Sequence, residues 1–351
     1  MGRKPTDTTV PPMVSVIIPM LNEAKWIERC VETFDSQDHP LDRLEVLVVD
    51  GGSTDGSREM VRDLGQERPW LRLVDNPDTL ASAAFNRGIE AATGDVVCIV
   101  GAHAEVGPDF VSRSVAALEE TGAAGVGGQL LHSGTTPAQS AIGLAMTSRF
   151  GMGSPFRFAT ERREVDTIGH PAYRREVLDE VGSFDESLLR NSDYELNHRI
   201  RSAGHKLLLD PGIVTVYRPR PTLRALARQF YDYGLGKAAV ARSHPGSLKA
   251  RHLVPPVVAL LVASSPVMAL SRVGRRLLTT CSLGYVAVLN AAYATDRPAR
   301  PDADPLVYLA AFPVMHLTWG AGFIVGTLTR KPQTQHRRVA PLLPSGSRRS
   351  R

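Results

Sequence analysis

The sequence predicts a doubly wound α/β domain followed by a group of membrane helices. Two observations predict the first part: short apolar runs without polar alternation, such as VSVIIP and LEVLVVD, and stretches of helical spacing between them. That alternation marks strands covered on both faces, as in a largely parallel sheet. A third observation predicts the second part. Residues 253–270, 277–295 and 306–329 carry no charged side chain, and about 20 apolar residues suffice to cross a bilayer.

From Val14 the elements follow in order. VSVIIP reads as a strand, NEAKWIERCVETFDSQ as a helix, LEVLVVD as a second strand, GSREMVRDL as a helix, LRLVDN as a third strand, LASAAFNRGIEAA as a helix and DVVCIVG as a fourth strand. Residues 107–230 are less periodic: PDFVSRSVAALEETG, RREVLDEVG and SDYELNHRIRSAG read as helices, AAGVGGQLLH and HKLLLDPGIVTVYRP as strands. The Gly- and Ser-rich stretch 133–160 reads as a mobile loop with some helix.

The expected division is a disordered lead-in over 1–12, an α/β domain over 13–230, an interfacial linker over 231–252, membrane segments over 253–329 and a basic tail over 330–351. The lead-in lacks the apolar stretch of a signal peptide. The first apolar run contains Pro255, Pro256 and Pro266 and is expected to be re-entrant or interfacial, so two or three spans remain open. Arg272, Arg275 and Arg276 precede the second run and the basic tail follows the third, whereas the intervening DRPARPDADP is nearly neutral. Positive charge favours the cytoplasmic side, so the second and third runs are expected to form a hairpin. This places the α/β domain in the cytoplasm, on a multi-pass cell-membrane protein.

The 351 residues carry a net charge of +5 and three cysteines, Cys30, Cys98 and Cys281. The cysteines lie far apart, without metal-ligand spacing. The basic residues crowd the C-terminal third and form no stripe interleaved with aromatics in the first 200 residues, which argues against nucleic acid and for membrane lipids as a partner.

Ligands of doubly wound sheets bind at the carboxyl ends of the strands. Asn22 and Glu23 follow the first strand, Asp50 to Asp55 the second and Gly101 to Glu105 the fourth, so the three groups are expected to face one crevice. An aspartate at a strand end can accept a hydrogen bond from a base or ribose, and the glycines of VDGGSTDGS let the backbone approach a ligand. No P-loop and no GxGxxG fingerprint occurs. On these residues alone, a tight turn with Ser53 or Asp55 as a helix cap stays equally open.

Four stretches in order, VSVIIPMLNEAKWIERCVETFDSQ, LEVLVVDGGSTDGS, NRGIEAATGDVVCIVGAHAEV and GSFDESLLRNSDYELNHRIRSAG, resemble the inverting family 2 glycosyltransferases. The resemblance extends over about residues 13 to 250 and is strongest to bacterial succinoglycan and other exopolysaccharide sugar transferases. It implies a GT-A fold, a nucleotide-diphospho-sugar transferase fold with a doubly wound mixed sheet. It also implies transfer of a sugar from a nucleotide-sugar donor to a lipid-linked or glycan acceptor.

Carried over residue by residue, Pro19, Asn22 and Glu23 match the segment that contacts the nucleotide, and Asp50 matches the aspartate that recognises the base. Ser53, Thr54 and Asp55 match the adjoining turn; Asn86 and Arg87 match the helix on the diphosphate side. Asp193 matches the general base, with Glu195 as the alternate carboxylate. A carboxylate at a helix start also stabilises the helix dipole without any catalysis. Gln229, Tyr231 and Tyr233 are expected to line the acceptor site, although the stretch reads equally as an interfacial helix.

One departure stands out. The family holds Mg²⁺ or Mn²⁺ with Asp-x-Asp or Asp-Ala-His at the fourth strand end, and here the triplet is Gly101, Ala102 and His103. His103 remains as metal ligand, with Glu105 or water filling in, or as a plain hydrogen-bonding residue. Mn²⁺ accepts imidazole more readily than Mg²⁺ does. The missing carboxylate keeps a second expectation alive, a degenerate homologue that binds nucleotide-sugar or glycan within a polysaccharide assembly complex.

Overall fold

The computed structural model describes residues 10–151 and 159–329. The basic tail and most of the lead-in lie outside the described residues. The first half alternates strand and helix as expected: β1 Val14–Met20, α1 Ile27–Glu32, β2 Leu44–Asp50, α2 Ser57–Glu67, β3 Leu71–Asp75, α3 Ala81–Ala91 and β4 Val96–Ile99. The second half is built of β5 Ala104–Val106, α4 Phe110–Thr121, β6 Gly125–His132, α5 Pro137–Thr147, β7 Arg163–Glu164, β8 Ala172–Arg174, α6 Arg175–Val181, α7 Ser192–Ser202 and β9 Leu207–Tyr217. Four long helices follow: α8 Leu223–Ser243, α9 Val254–Met268, α10 Arg272–Asp296 and α11 Pro305–Leu328.

One sheet runs β3-β2-β1-β4-β8-β6-β9-β5, with β7 on β9. The four strands of the first half are mutually parallel. β8 runs antiparallel between β4 and β6, so the sheet is mixed. β1 pairs β2 on one side and β4 on the other. The chain therefore reverses its direction of winding at β1, which opens a crevice beyond its carboxyl end.

Side chains alternate across the sheet. Val14, Val16 and Ile18 of β1 join Cys30, Phe34 and Val61 in one core, under α1 and α2. Ile17 joins Ile89, Leu196 and Ile200 in the other, under α3 and α7. Gly88 is what lets α3 lie on β1, because an added Cβ would overlap Ile17.

A third core is formed outside the sheet. Ile142 of α5, Leu226 and Phe230 of α8, and Tyr308, Phe312, Met315 and Trp319 of α11 are all buried there. α5 supplies the helix within the stretch 133–160, which the sequence reads as a mobile loop with some helix; residues 152–158 of that stretch lie outside the described residues. α8 also runs unbroken through residue 230, so the expected boundary between domain and linker falls inside a helix. Its start is fixed by Thr222, whose hydroxyl accepts from the Ala225 N–H at 3.2 Å.

Three helical segments are long and apolar enough to cross a membrane: Ala250–Met268, Arg272–Ala299 and Pro305–Leu328. Within the first, α9 tolerates Pro255 and Pro256 because they occupy its opening turn, where no intrahelical N–H bond is lost, while Pro266 lies inside the helix. The loop after α10 does not stand apart from the α/β domain: Arg300 Nη2 donates to the His132 carbonyl at 2.5 Å, and the Asp304 N–H to the Pro137 carbonyl at 3.1 Å. Hence both ends of α11 lie against that domain, since Arg242 Nη2 also donates to the Gly326 carbonyl at 2.5 Å. Exposed apolar side chains are most numerous on α9 and α10, through Val257, Leu260, Val262, Val267, Leu277, Leu283 and Val286, and α11 adds Leu306, Val325 and Leu328.

Candidate active site

The loops after β1 and β2 are fastened to each other. The Asn22 N–H donates to Ser53 Oγ at 2.9 Å and Asn22 Oδ1 accepts from the Thr54 N–H at 2.9 Å. Asp55 Oδ2 accepts from the Ala24 N–H at 2.9 Å, while its Oδ1 accepts from the Ser57 hydroxyl at 2.6 Å and the Ser57 N–H at 3.1 Å, at the first residue of α2. Asn22, at φ +57°, takes the left-handed turn this fastening needs. The side chains of Asn22, Ser53 and Asp55 and the Thr54 N–H are thus used in tying the two loops together.

Asp50 ends β2 with its side chain wholly buried. It accepts from the Ser53 N–H at 3.1 Å and from Arg58 Nη1 at 2.8 Å. Burial alone would raise its carboxyl, but the bonds from Ser53 and Arg58 outweigh it and hold the group below the ordinary aspartate value. Arg58 Nη2 reaches on to Asp75 at 2.5 Å, an exposed carboxylate. What the crevice presents at this end is therefore Arg58 and Asp75, two residues sequence reasoning did not single out. Pro19 lies in β1 opposite Val49, one register step from the Met20 and Asp50 pair.

At the other lip, His103 Nδ1 lies 3.2 Å from Glu23 Oε1, and its ring centroid is 5.5 Å from that of Tyr217. Glu105 is paired with Arg218 and, at 3.2 Å, with Arg29. Gly101 leaves a gap in which an added Cβ would meet His170 Nε2 at 3.6 Å. His170 itself has φ +43°, and its Nδ1 is buried without a hydrogen-bond partner. Burial, and then the nearby His103, push the His170 imidazole down to about 4, so it is neutral at pH 7. Among the described residues no three His, Cys, Asp or Glu side chains are grouped to hold a metal by themselves.

Asp193 and Glu195 open α7 and differ completely. Glu195 is 2 % exposed, takes a bidentate pair from Arg199 at 2.7 and 2.9 Å, and meets His244 Nε2 at 2.9 Å. Arg199 then donates to the carbonyls of Val181, Gly182 and Ser183, so Glu195 anchors the preceding loop. Asp193 has no side-chain partner among the described residues and is open to solvent, yet protein atoms surround it closely. Desolvation raises its carboxyl above the ordinary value, against backbone N–H bonds from Tyr194 and itself. Tyr173 lies close by, its hydroxyl pushed well up by burial and by the Asp193 charge.

β8 joins the two lips. The Ile99 N–H donates to the Pro171 carbonyl at 2.8 Å, which sets His170 beside Gly101, and Tyr173 OH donates to Asn197 of α7 at 2.7 Å. Gln229 Nε2 reaches Tyr217 OH at 3.3 Å and Tyr233 OH at 3.0 Å. The Tyr233 carbonyl accepts from Asn191 Nδ2 at 3.0 Å, at the N-terminal cap of α7. Gln229 and Tyr233 thus connect the His103 lip to the helix carrying Asp193, whereas the Tyr231 backbone packs on Gly322 of α11.

Asn86 is fully engaged elsewhere, exchanging hydrogen bonds with the Phe184 backbone at 2.8 and 2.9 Å and reaching Glu186 at 2.7 Å. It clamps α3 to the loop before α7. Arg87 is half-exposed and pairs with Glu90 at 3.3 Å.

The glycosyl transferase family 2 model matches residues 15–182. Over 316 residues the chain is 34 % identical to the succinoglycan biosynthesis protein ExoA of Rhizobium meliloti, covering 88 % of this chain and 93 % of that one. Over 237 residues it is 30 % identical to a dolichyl N-acetyl-α-D-glucosaminyl phosphate diacetamido-dideoxy-glucuronosyltransferase of Methanococcus voltae, 65 % of this chain and 74 % of that one. Among solved structures, the mannosyltransferase PcManGT of Pyrobaculum calidifontis, in complex with GDP-Man and Mn²⁺, superposes with a TM-score of 0.62 at 23 % identity, over 91 % of this chain and 88 % of that one.

Proposed function

The chain belongs to glycosyl transferase family 2, and from that premise we propose that it moves a sugar from a nucleoside-diphosphate donor onto a lipid-linked or polysaccharide acceptor in cell-envelope or exopolysaccharide synthesis. Its ExoA-like and dolichyl-phosphate-sugar relatives support an acceptor of this class. The reaction is a single displacement with inversion. The acceptor oxygen bonds to the anomeric carbon as the bond to the diphosphate oxygen breaks, and the acceptor proton passes to Asp193.

The observation that carries this reading is the contrast on α7. Asp193 has a free, solvent-reachable and desolvated carboxylate, and a raised pKa makes it a stronger base once ionised. Glu195, tied to Arg199 and His244, holds the helix in place. Tyr217, Gln229 and Tyr233 bound the acceptor side through their shared hydrogen bonds.

A divalent cation, Mg²⁺ or Mn²⁺, fits the His103 lip by its donor chemistry, an imidazole next to a partnerless second imidazole and a gap at Gly101. Such an ion, when bound, neutralises charge gathering on the departing diphosphate. The protein's own part is to orient that diphosphate and to keep Asp193 clear of competing partners. Asp193→Asn in the purified full chain is the test. Loss of transfer with nucleotide affinity kept within a few-fold supports the base role; equal loss of both removes it.

The α/β domain is assigned to the cytoplasmic face of the cell membrane, where nucleotide-sugars are made. α9 and α10 form the part that enters the lipid. α10, at 25 residues, is about 37 Å long, enough for a hydrocarbon core of about 30 Å.

A further inference from the structure

The crevice lacks a donor at one point and carries an unused donor at the same point. Gly101 stands where a metal-holding carboxylate would be expected, and the atom facing its open side, 3.6 Å from an added Cβ, is His170 Nε2. The His170 ring has no hydrogen bond among the described residues, and its Nδ1 is buried and unsatisfied. Buried polar atoms of this kind call for an explanation. Its backbone is also held at φ +43°, a left-handed conformation unfavourable for an L-residue and kept where surrounding structure demands it. The Ile99 to Pro171 hydrogen bond and the Cys98 to Ala172 pairing fix this loop beside the end of β4. His103 lies two residues beyond Gly101 at the same lip, its Nδ1 3.2 Å from Glu23 Oε1.

We propose that His170 replaces the carboxylate missing at position 101, so that His103 and His170 offer a divalent cation two imidazole nitrogens. The inference rests on the transferase reading in one respect: the donor's diphosphate oxygens complete the cation's shell, because no three protein ligands do so alone. Two nitrogen donors favour Mn²⁺ over Mg²⁺, which prefers oxygen and gives up its waters reluctantly. Cation binding is therefore nucleotide-dependent and Mn²⁺-selective.

The test uses the full chain in detergent micelles with Mn²⁺ and GDP or UDP, with Mn²⁺ read by electron paramagnetic resonance and its ligand nitrogens by spin-echo modulation. Wild type is expected to bind Mn²⁺ only with nucleotide and to show two imidazole couplings. His170→Phe is expected to remove one coupling and weaken Mn²⁺ by about 10- to 100-fold, a loss usual when a metal's ligand environment is disturbed, with metal-free nucleotide affinity unchanged. His170→Asn gives the same readout should the phenylalanine disturb folding. In the Gly101→Asp, His170→Phe double variant, cation binding is expected to return with Mg²⁺ now competing effectively. Unchanged affinity and couplings in both His170 variants would overturn the assignment while leaving the transferase reading intact. Failure of every nucleotide to bind, with or without metal, would overturn both.

Discussion

On the proposed mechanism, Asp193 and Glu195, two positions apart, divide two tasks that one carboxylate could not perform together. A base must be free to take a proton; an anchor must never let go of its partners. Asp193→Asn is expected to lower kcat by about 10²- to 10⁴-fold, the usual contribution of general-base catalysis. It is also expected to raise Tm at neutral pH. The native carboxyl holds its proton more tightly than the unfolded one, so stability falls as pH rises through the interval from the unfolded to the folded pKa and stays lower above it. The amide removes that penalty, and its gain should shrink when melting is repeated below the ordinary aspartate value of about 3.9. The acidic limb of kcat/KM in the wild type should lie above that same value. Glu195→Gln acts oppositely: losing the charged half of the Arg199 and His244 contacts should cost about 2 kcal/mol in urea unfolding, the worth of a charge-assisted hydrogen bond.

The parallel half of the sheet was readable because its signals are local. Each of VSVIIP, LEVLVVD and DVVCIVG is a buried run bounded by turn residues, and the chemistry sits at their ends. The α8 and α11 contact has no local signal, since it depends on glycines 88 positions apart in the chain meeting in space. Gly322 packs on the Tyr231 carbonyl and Leu235, and Gly234 on Trp319 and Phe323. Such small residues let two helix backbones approach closely. Gly322→Val is expected to cost about 1–3 kcal/mol by overpacking and to reduce activity, because the shifted helix carries Gln229 and Tyr233. Gly284→Val on α10, where an added Cβ meets nothing within 4 Å, serves as the control and should melt like wild type in detergent. His170 escaped the sequence for a similar reason: in IGHPAYRR nothing marks its imidazole, and only the pairing of β8 with β4 brings it to Gly101. Arg58 is the same case, a charged residue at a helix start that gains meaning through Asp50 and Asp75.

The apolar C-terminal region is two things at once. α9 and α10 expose their hydrophobic side chains outward, whereas α11 turns Tyr308, Phe312, Met315 and Trp319 inward to complete a core with α5 and α8. Removing everything after residue 250 is therefore not expected to yield a well-behaved soluble domain. It uncovers Ile142, Leu226 and Phe230 together, and size-exclusion chromatography should show aggregates or detergent-bound material; a monodisperse, nucleotide-binding fragment would contradict the shared core. The arrangement also has a consequence for how the protein is made. About ninety residues separate Phe230 from Trp319 in the chain, so at ribosomal speeds of about 5–20 residues per second the third core waits roughly 5–20 s for its last helix. During that interval α9 and α10 leave the ribosome first and can already seek lipid. On the proposed membrane assignment, the newborn chain reaches lipid before the α8–α11 seam is finished, and a truncated translation product lacks the seam beneath Gln229 and Tyr233.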